Sequence, residues 1–165
     1  MSDHRDVSAE NFTTQLVVFS LAGEEYALPI THVHEIIRYA EPRSVASGDP
    51  SVRGVISLRG KILPVLDLAN RLGLASDATA AANIVIVETD NEMAGVVCDE
   101  VEEVITVSPE QLEEAPGADA TSIDGIAKID DRLVVLLNPH GIVPGAARRR
   151  EVPAVGGADD VALAA

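Results

Sequence analysis

An internal repeat constrains this chain more than any single residue does. Shifting the sequence by 68 positions lays Leu16, Val17, Val18 and Phe19 on Ile84, Val85, Ile86 and Val87. Without a gap, Leu28 then falls on Val96, Val33 on Val101, Glu35 on Glu103, and Ile36 and Ile37 on Val104 and Ile105. A second block matches at a shift of 71. There Ser51, Val52, Arg53, Gly54 and Val55 fall on Ser122, Ile123, Asp124, Gly125 and Ile126, and Lys61, Ile62 and Leu63 on Arg132, Leu133 and Val134. Two blocks in the same order describe two similar half-domains. What recurs is apolar scaffold, not a catalytic pair, and that favours a protein that holds partners.

A chain of 165 residues suits one compact domain or two small halves sharing a core. The hydrophobic fraction of 47% is enough to fold it, although only 2% of residues are aromatic, so Val, Ile, Leu and Ala must fill the core. No long uncharged apolar run and no signal-peptide pattern is present, which predicts a soluble cytoplasmic protein without direct membrane insertion. The lone Cys98 rules out an intrachain disulfide framework, and within Gly95-Val96-Val97-Cys98 it reads as a small buried core residue. A net charge of −15 repels nucleic acid and anionic membranes, since phosphate binding needs concentrated positive charge. Such a surface stays soluble where concentrated salt screens its self-repulsion, so a salt-loving cytoplasm is expected.

Residues 1–13 are polar and expected to be flexible. The pattern predicts strands at 15–21 and 26–30 around a turn at 22–25, with Pro29 marking an edge or strand end. Val33, Ile36 and Ile37 have the i, i+3, i+4 spacing of a helix face, which predicts a short helix over 31–37 capped by Thr31. Residues 51–55 read as a turn or short helix. A hairpin is expected from 56–58 and 62–66 across Arg59-Gly60-Lys61, then a helical turn over 67–72 stopped by Gly73. A small-residue linker at 75–82 separates the copies. In the second copy, strands are expected at 84–87 and 93–98, a short segment at 101–105, and a closing hairpin at 126–129 and 132–137. Ser108-Pro109-Glu110-Gln111 carries cap and capping-box chemistry for a helix to about 114. The tail from 144 to 165 is expected to be flexible. Val18, Leu28, Ile86, Val96 and Leu136 are expected in the core. Strands this short suggest two small closed barrels, the first over 14–74 and the second over 83–143, with an apolar seam between them.

The chemistry of catalysis is missing from the motifs. No phosphate-binding glycine loop, zinc-protease helix or nucleophile elbow occurs. His32 and His34 diverge if helical, so neither a metal nor another cofactor is expected. Carboxylates such as Asp99, Glu100, Glu102 and Glu103 belong to a solvated face. Glu35 and Arg59 merit attention: spacing alone reads them as two unrelated surface charges, or as a pair across the mouth of a barrel that would orient one side chain toward a partner.

At these residues the chain resembles a known family. FSLAGEEYALPI at 19–30, VHEII at 33–37, VRGVISLRGKILPVLDL at 52–68, GVVCDEV at 95–101 and LVVLLN at 133–138 are similar to motifs of the chemotaxis coupling protein CheW. The likeness runs from about 15 to 143, so 14–143 is expected to be one CheW-like domain, from a halophilic archaeon on the charge argument. It implies an all-β fold of two intertwined five-stranded SH3-like barrels with short helices, with possible strand or helix exchange. It also implies a non-enzymatic adaptor joining methyl-accepting chemoreceptor tips to the histidine kinase CheA. By this resemblance Val33, Glu35, Gly54, Arg59, Gly95, Val101 and Val104 serve the receptor groove, and Ile62, Leu63, Pro64 and Val65 the kinase face. Glu100 departs from the small residue common there in the family. Two other readings stay open on the residues alone: a general SH3-like protein-binding module outside chemotaxis, and a small enzyme with a carboxylate site in the groove.

Overall fold

The computed structural model describes residues 13–75, 81–90, 92–118 and 120–143. The expectations for 1–12, for most of the linker and for the tail beyond 143 lie outside the described residues. Eleven strands are present among those described. They are β1 (Thr14–Leu21), β2 (Glu24–Pro29), β3 (Val33–Arg38), β4 (Val52–Leu58), β5 (Lys61–Asp67), β6 (Asn83–Thr89), β7 (Glu92–Cys98), β8 (Glu100–Val107), β9 (Leu112–Glu113), β10 (Ile123–Ile129) and β11 (Arg132–Leu137). Two short helices, α1 (Leu68–Arg71) and α2 (Pro139–Ile142), follow β5 and β11.

The strands form one six-stranded sheet in the order β8-β1-β2-β11-β10-β9 and one five-stranded sheet in the order β3-β6-β7-β5-β4. Under the repeat, β1 and β2 correspond to β6 and β7, β3 to β8, β4 to β10 and β5 to β11. Each sheet therefore takes the first hairpin of one copy and later strands of the other, four in the six-stranded sheet and three in the five-stranded one. Even the parallel pairings match, β11 beside β2 and β5 beside β7. This corrects the expectation of two five-stranded SH3-like barrels. The sheets are open in their strand order, one has six strands, and neither belongs to a single copy. The cause is local: only the 3-10 turn Ile30–His32 separates β2 from β3, and Asp99 alone separates β7 from β8. Connections that short carry the chain straight into the opposite sheet.

Three apolar clusters hold this arrangement. The central one lies between the sheets and includes Phe19, Tyr26 and Leu28 from one with Leu66, Val85, Val87 and Val96 from the other. Leu16, Val18, Ala27, Val107, Ala127 and Val134 form a second, within the six-stranded sheet, and Leu63, Val65, Ile84, Ile86 and Val97 a third, within the five-stranded one. Both faces of each sheet are thus apolar, which is why β1 and β6 read as continuous runs instead of alternating. Val18, Leu28, Ile86 and Val96 are fully buried, whereas Leu136 is half-buried and Leu137 takes the core position in its place.

Three local readings need correction. The spacing at 33–37 belongs to β3 and not to a helix. It arises because Val33 pairs with Val87 and Glu35 with Ile86, leaving His34 as the extra residue of a β-bulge. Residues 52–58 form β4, bulged at Arg53, and not a turn or helix. The helix expected after Ser108 is one 3-10 turn, Pro109–Gln111, before the chain enters β9. The capping box is present, with Gln111 Oε1 accepting from the Ser108 backbone N–H at 2.8 Å. Capping chemistry marks where a helix can start, not how far it runs.

Candidate functional site

The two edge strands β3 and β8 occupy equivalent places in the two sheets, and both turn one face toward the central core. Val33 and Val101 pack against that core as half-buried residues. A bulge follows each. In β8, Phe19 pairs with Val101 and Val18 with Glu103, which leaves Glu102, the repeat counterpart of His34, as the extra residue. The bulges let residues three apart share a face. Val104 pairs with Val17, and Val17 lies on the same face of β1 as Phe19, so Val104 joins Val101 there. Ile36 alternates with Ile37, which packs into the cluster of the five-stranded sheet, so Ile36 turns to the face of Val33. Ile36 and Val104 are repeat counterparts, 40% and 50% exposed. Sequence reading missed Ile36 as a surface residue because the helical phase placed it inside.

Glu35 pairs with Ile86 and so lies on the opposite face of β3 from Val33 and Ile36; its side chain is 23% exposed and accepts a hydrogen bond from Arg59 Nη1. Arg59 stands at the tip of the β4–β5 hairpin with φ 50°, and Gly60 follows at φ 84°, a left-handed pair that the tight turn requires. The hydrogen bond and charge of Glu35 raise the guanidinium pKa of Arg59 above its ordinary value. His34 extends the network, its Nδ1 3.4 Å from Glu88 Oε1 and its Nε2 3.9 Å from Glu35 Oε1. His32 points elsewhere, with Nδ1 2.9 Å from the Glu88 carbonyl oxygen and its ring edge-on to His140 at 5.3 Å. Among the described residues no three His, Cys, Asp or Glu side chains are grouped to hold a metal ion.

The two glycines of the expected receptor set are buried supports. A Cβ on Gly54 would lie 2.1 Å from the Arg43 carbonyl oxygen, where Arg43 and Val55 exchange two backbone hydrogen bonds of 2.8 Å. A Cβ on Gly95 would lie 2.6 Å from Ile84 Cγ2. The expected kinase face divides by exposure. Ile62 is 65% exposed and Pro64 half-buried, while Leu63 and Val65 point into the core and support the strand from beneath. Beside them lies a cavity of about 500 Å³ lined by Lys61, Ile62, Leu63, Pro64, Met93 and the acidic residues Glu88, Asp90 and Glu92. It opens where β5 and β7 diverge, since their parallel pairing begins only at Val65 and Gly95.

Comparison with known proteins agrees with this geometry. The family model for the CheW-like domain matches residues 15–147. The chemotaxis protein CheW of Bacillus subtilis is 32% identical over 144 residues, covering 84% of this chain and 92% of that protein. A probable chemotaxis protein CheW of Rhizobium etli is 30% identical over 128 residues, 74% and 83% of the two chains. The crystal structure of the scaffolding protein TtCheW from Thermoanaerobacter tengcongensis superposes with a TM-score of 0.71 at 36% identity, covering 77% of this chain and 85% of that one. These relatives are bacterial and lend no support to an archaeal source. No helix among the described residues is long and apolar enough to cross a membrane. The chain belongs to the CheW-like family, and its role is that of a non-enzymatic chemotaxis adaptor between receptors and the kinase CheA.

Proposed function

We propose that this adaptor receives the helical tip of a methyl-accepting receptor between β3 and β8 and meets CheA at the separate face around Ile62. The observation that carries the receptor half is the matched presentation of Val33 with Ile36 and Val101 with Val104 on two edge strands facing one core. Apolar side chains at that spacing suit helix-in-groove packing. The Glu35–Arg59 pair, on the opposite face of the β3 wall, supplies charge that orients the partner more than it adds affinity. The kinase face rests on the family resemblance together with the exposure of Ile62 and the adjacent cavity. The protein works in the cytoplasm, recruited to receptor arrays, without nucleic acid and without inserting in the bilayer.

Glu35→Arg tests the receptor half. It is expected to weaken binding of the receptor's soluble cytoplasmic fragment while leaving CheA binding and the fold intact. Receptor affinity within about twofold of wild type would count against Glu35, and recovery on adding Arg59→Glu would support direct pairing. The net charge of −15 further supports a concentrated-salt working medium. Thermal stability should rise as KCl increases toward molar concentration, and a fall would refute that reading.

A further inference from the structure

The receptor groove proposed above has an unusual construction: its two walls, β3 and β8, are edge strands of different sheets, and no backbone ladder joins them. Something else must set their separation. Asn83, the first residue of β6, reaches both. Its Oδ1 accepts from the Val101 backbone N–H at 3.1 Å, and its Nδ2 donates to the Ile37 carbonyl oxygen at 3.4 Å. Only one orientation of a carboxamide satisfies both strands, because the reverse would set oxygen against the Ile37 carbonyl and an amino group against the Val101 N–H. The surrounding backbone fixes Asn83 in place. The Ala82 N–H donates to the Cys98 and Asp99 carbonyl oxygens, the Tyr39 N–H donates to the Ala82 carbonyl, and Asp99 binds back to β1 through the Ser20 carbonyl. The bonds of Asn83 end on Val101, one wall residue of the groove, and on Ile37, next to Ile36 of the other.

We propose that Asn83 is a positioning residue for the receptor site, a two-ended clamp that holds β3 and β8 at the separation a receptor helix requires. This rests on the assignment of the groove between those strands. The backbone bridge from Tyr39 through Ala82 to Asp99 ties the two edges at one end, and the side chain of Asn83 adds a directional bond to each wall strand itself. The kinase face lies away from this clamp: Ile62 and Pro64 precede the stretch of β5 that pairs with β7 from Val65 to Asp67, while Asn83 lies at the far end of β6, opposite Cys98. Asn83 should therefore affect one partner and spare the other.

The test uses the full-length chain with the soluble cytoplasmic fragment of its receptor and, separately, with CheA. Asn83→Asp is nearly isosteric: it keeps the acceptor for Val101 but replaces the donor to Ile37 with a carboxylate oxygen facing a carbonyl. Asn83→Ala removes both bonds. Both variants are expected to lower receptor affinity about five- to tenfold, as the loss of one or two partly buried hydrogen bonds implies. CheA affinity should stay within about twofold. Receptor binding within about twofold of wild type in both folded variants would overturn the proposal. So would parallel loss of receptor and CheA affinity with a lowered thermal midpoint, which would mark a general structural role. Val104→Asp, measured alongside, separates the two layers of the argument. If it weakens receptor binding while the Asn83 variants do not, the clamp is wrong and the groove stands. If it too leaves receptor binding unchanged, the groove is misplaced and the role of Asn83 falls with it.

Discussion

Gly95→Ala should destabilise the fold through one contact. Gly95 pairs with Ile86 and Val65 at the centre of the five-stranded sheet. An added Cβ would meet Ile84 Cγ2 at 2.6 Å, while Ile86 Cδ1 at 3.5 Å and Val65 Cγ2 at 3.7 Å would remain in ordinary contact. Carbon atoms settle about 3.5–4.0 Å apart, so the Ile84 methyl must retreat by about 1 Å. It hangs directly from the Cβ of a β-branched, fully buried residue, where rotation is restricted and the interior has little free volume. Overpacking of this kind costs about 1–3 kcal/mol. Ile84→Ala removes the offending methyl and alone should cost about 2–5 kcal/mol through the cavity it leaves. The double variant should then lose at least about 1 kcal/mol less than the sum of the two, a coupling read from urea unfolding at unchanged m-value. Additivity within about 0.5 kcal/mol would refute the packing account and return Gly95 to consideration as a direct binding residue.

Two titrating groups give further checks. Burial and the neighbouring Asp99 push the Cys98 thiol up to about 12, so the native protein should resist disulfide reagents at pH 8 until it unfolds. With its folded pKa raised, Cys98 contributes stability below its unfolded value near about 8.5 and loses it as pH climbs toward 12, so Cys98→Val should flatten that alkaline limb. Burial works to raise the Asp49 carboxyl, but hydrogen bonds from Ser51 and Arg71 outweigh it and hold the group below the usual carboxylate range. Its contribution is therefore present above about pH 4 and lost as pH falls through the folded value, and Asp49→Asn should make the acid limb of the urea midpoint shallower. Equal acid limbs for both proteins would refute that assignment.

The repeat and its hairpins were legible because they depend on neighbours in sequence. Arg59-Gly60 and Asp130-Asp131 mark turns, and Arg59 and Asp130 adopt φ of 50° and 55° at matching hairpin tips. The exchange of strands between copies came only through the resemblance and was not legible in the residue pattern itself. It depends on where a three-residue turn sends the chain after β2, and no apolar pattern encodes the identity of a pairing partner. β3 was misread for a different reason. A bulge at His34 converts the period of a strand into a spacing of three, which apolar positions alone cannot distinguish from a helical turn. The same bulge hid Ile36 from the list of surface residues. Residue types and turn position offered a Glu35–Arg59 pair only beside the reading of two unrelated surface charges, and it is the structure that brings the two together. Gly54 and Gly95 came in by resemblance as positions tied to receptor binding or to the conformation that supports it, and their crowded surroundings favour the second.

The central claim is that two partners use two separate surfaces of one adaptor. Titrating the receptor's cytoplasmic fragment into a preformed complex of this chain with CheA tests it most directly, with mass measured by light scattering and kinase activity followed together. The account predicts a ternary complex, with CheA affinity unchanged by receptor and receptor control of kinase activity lost when this chain is left out. Displacement of CheA by the receptor fragment, or kinase control that is the same without this chain, would contradict it.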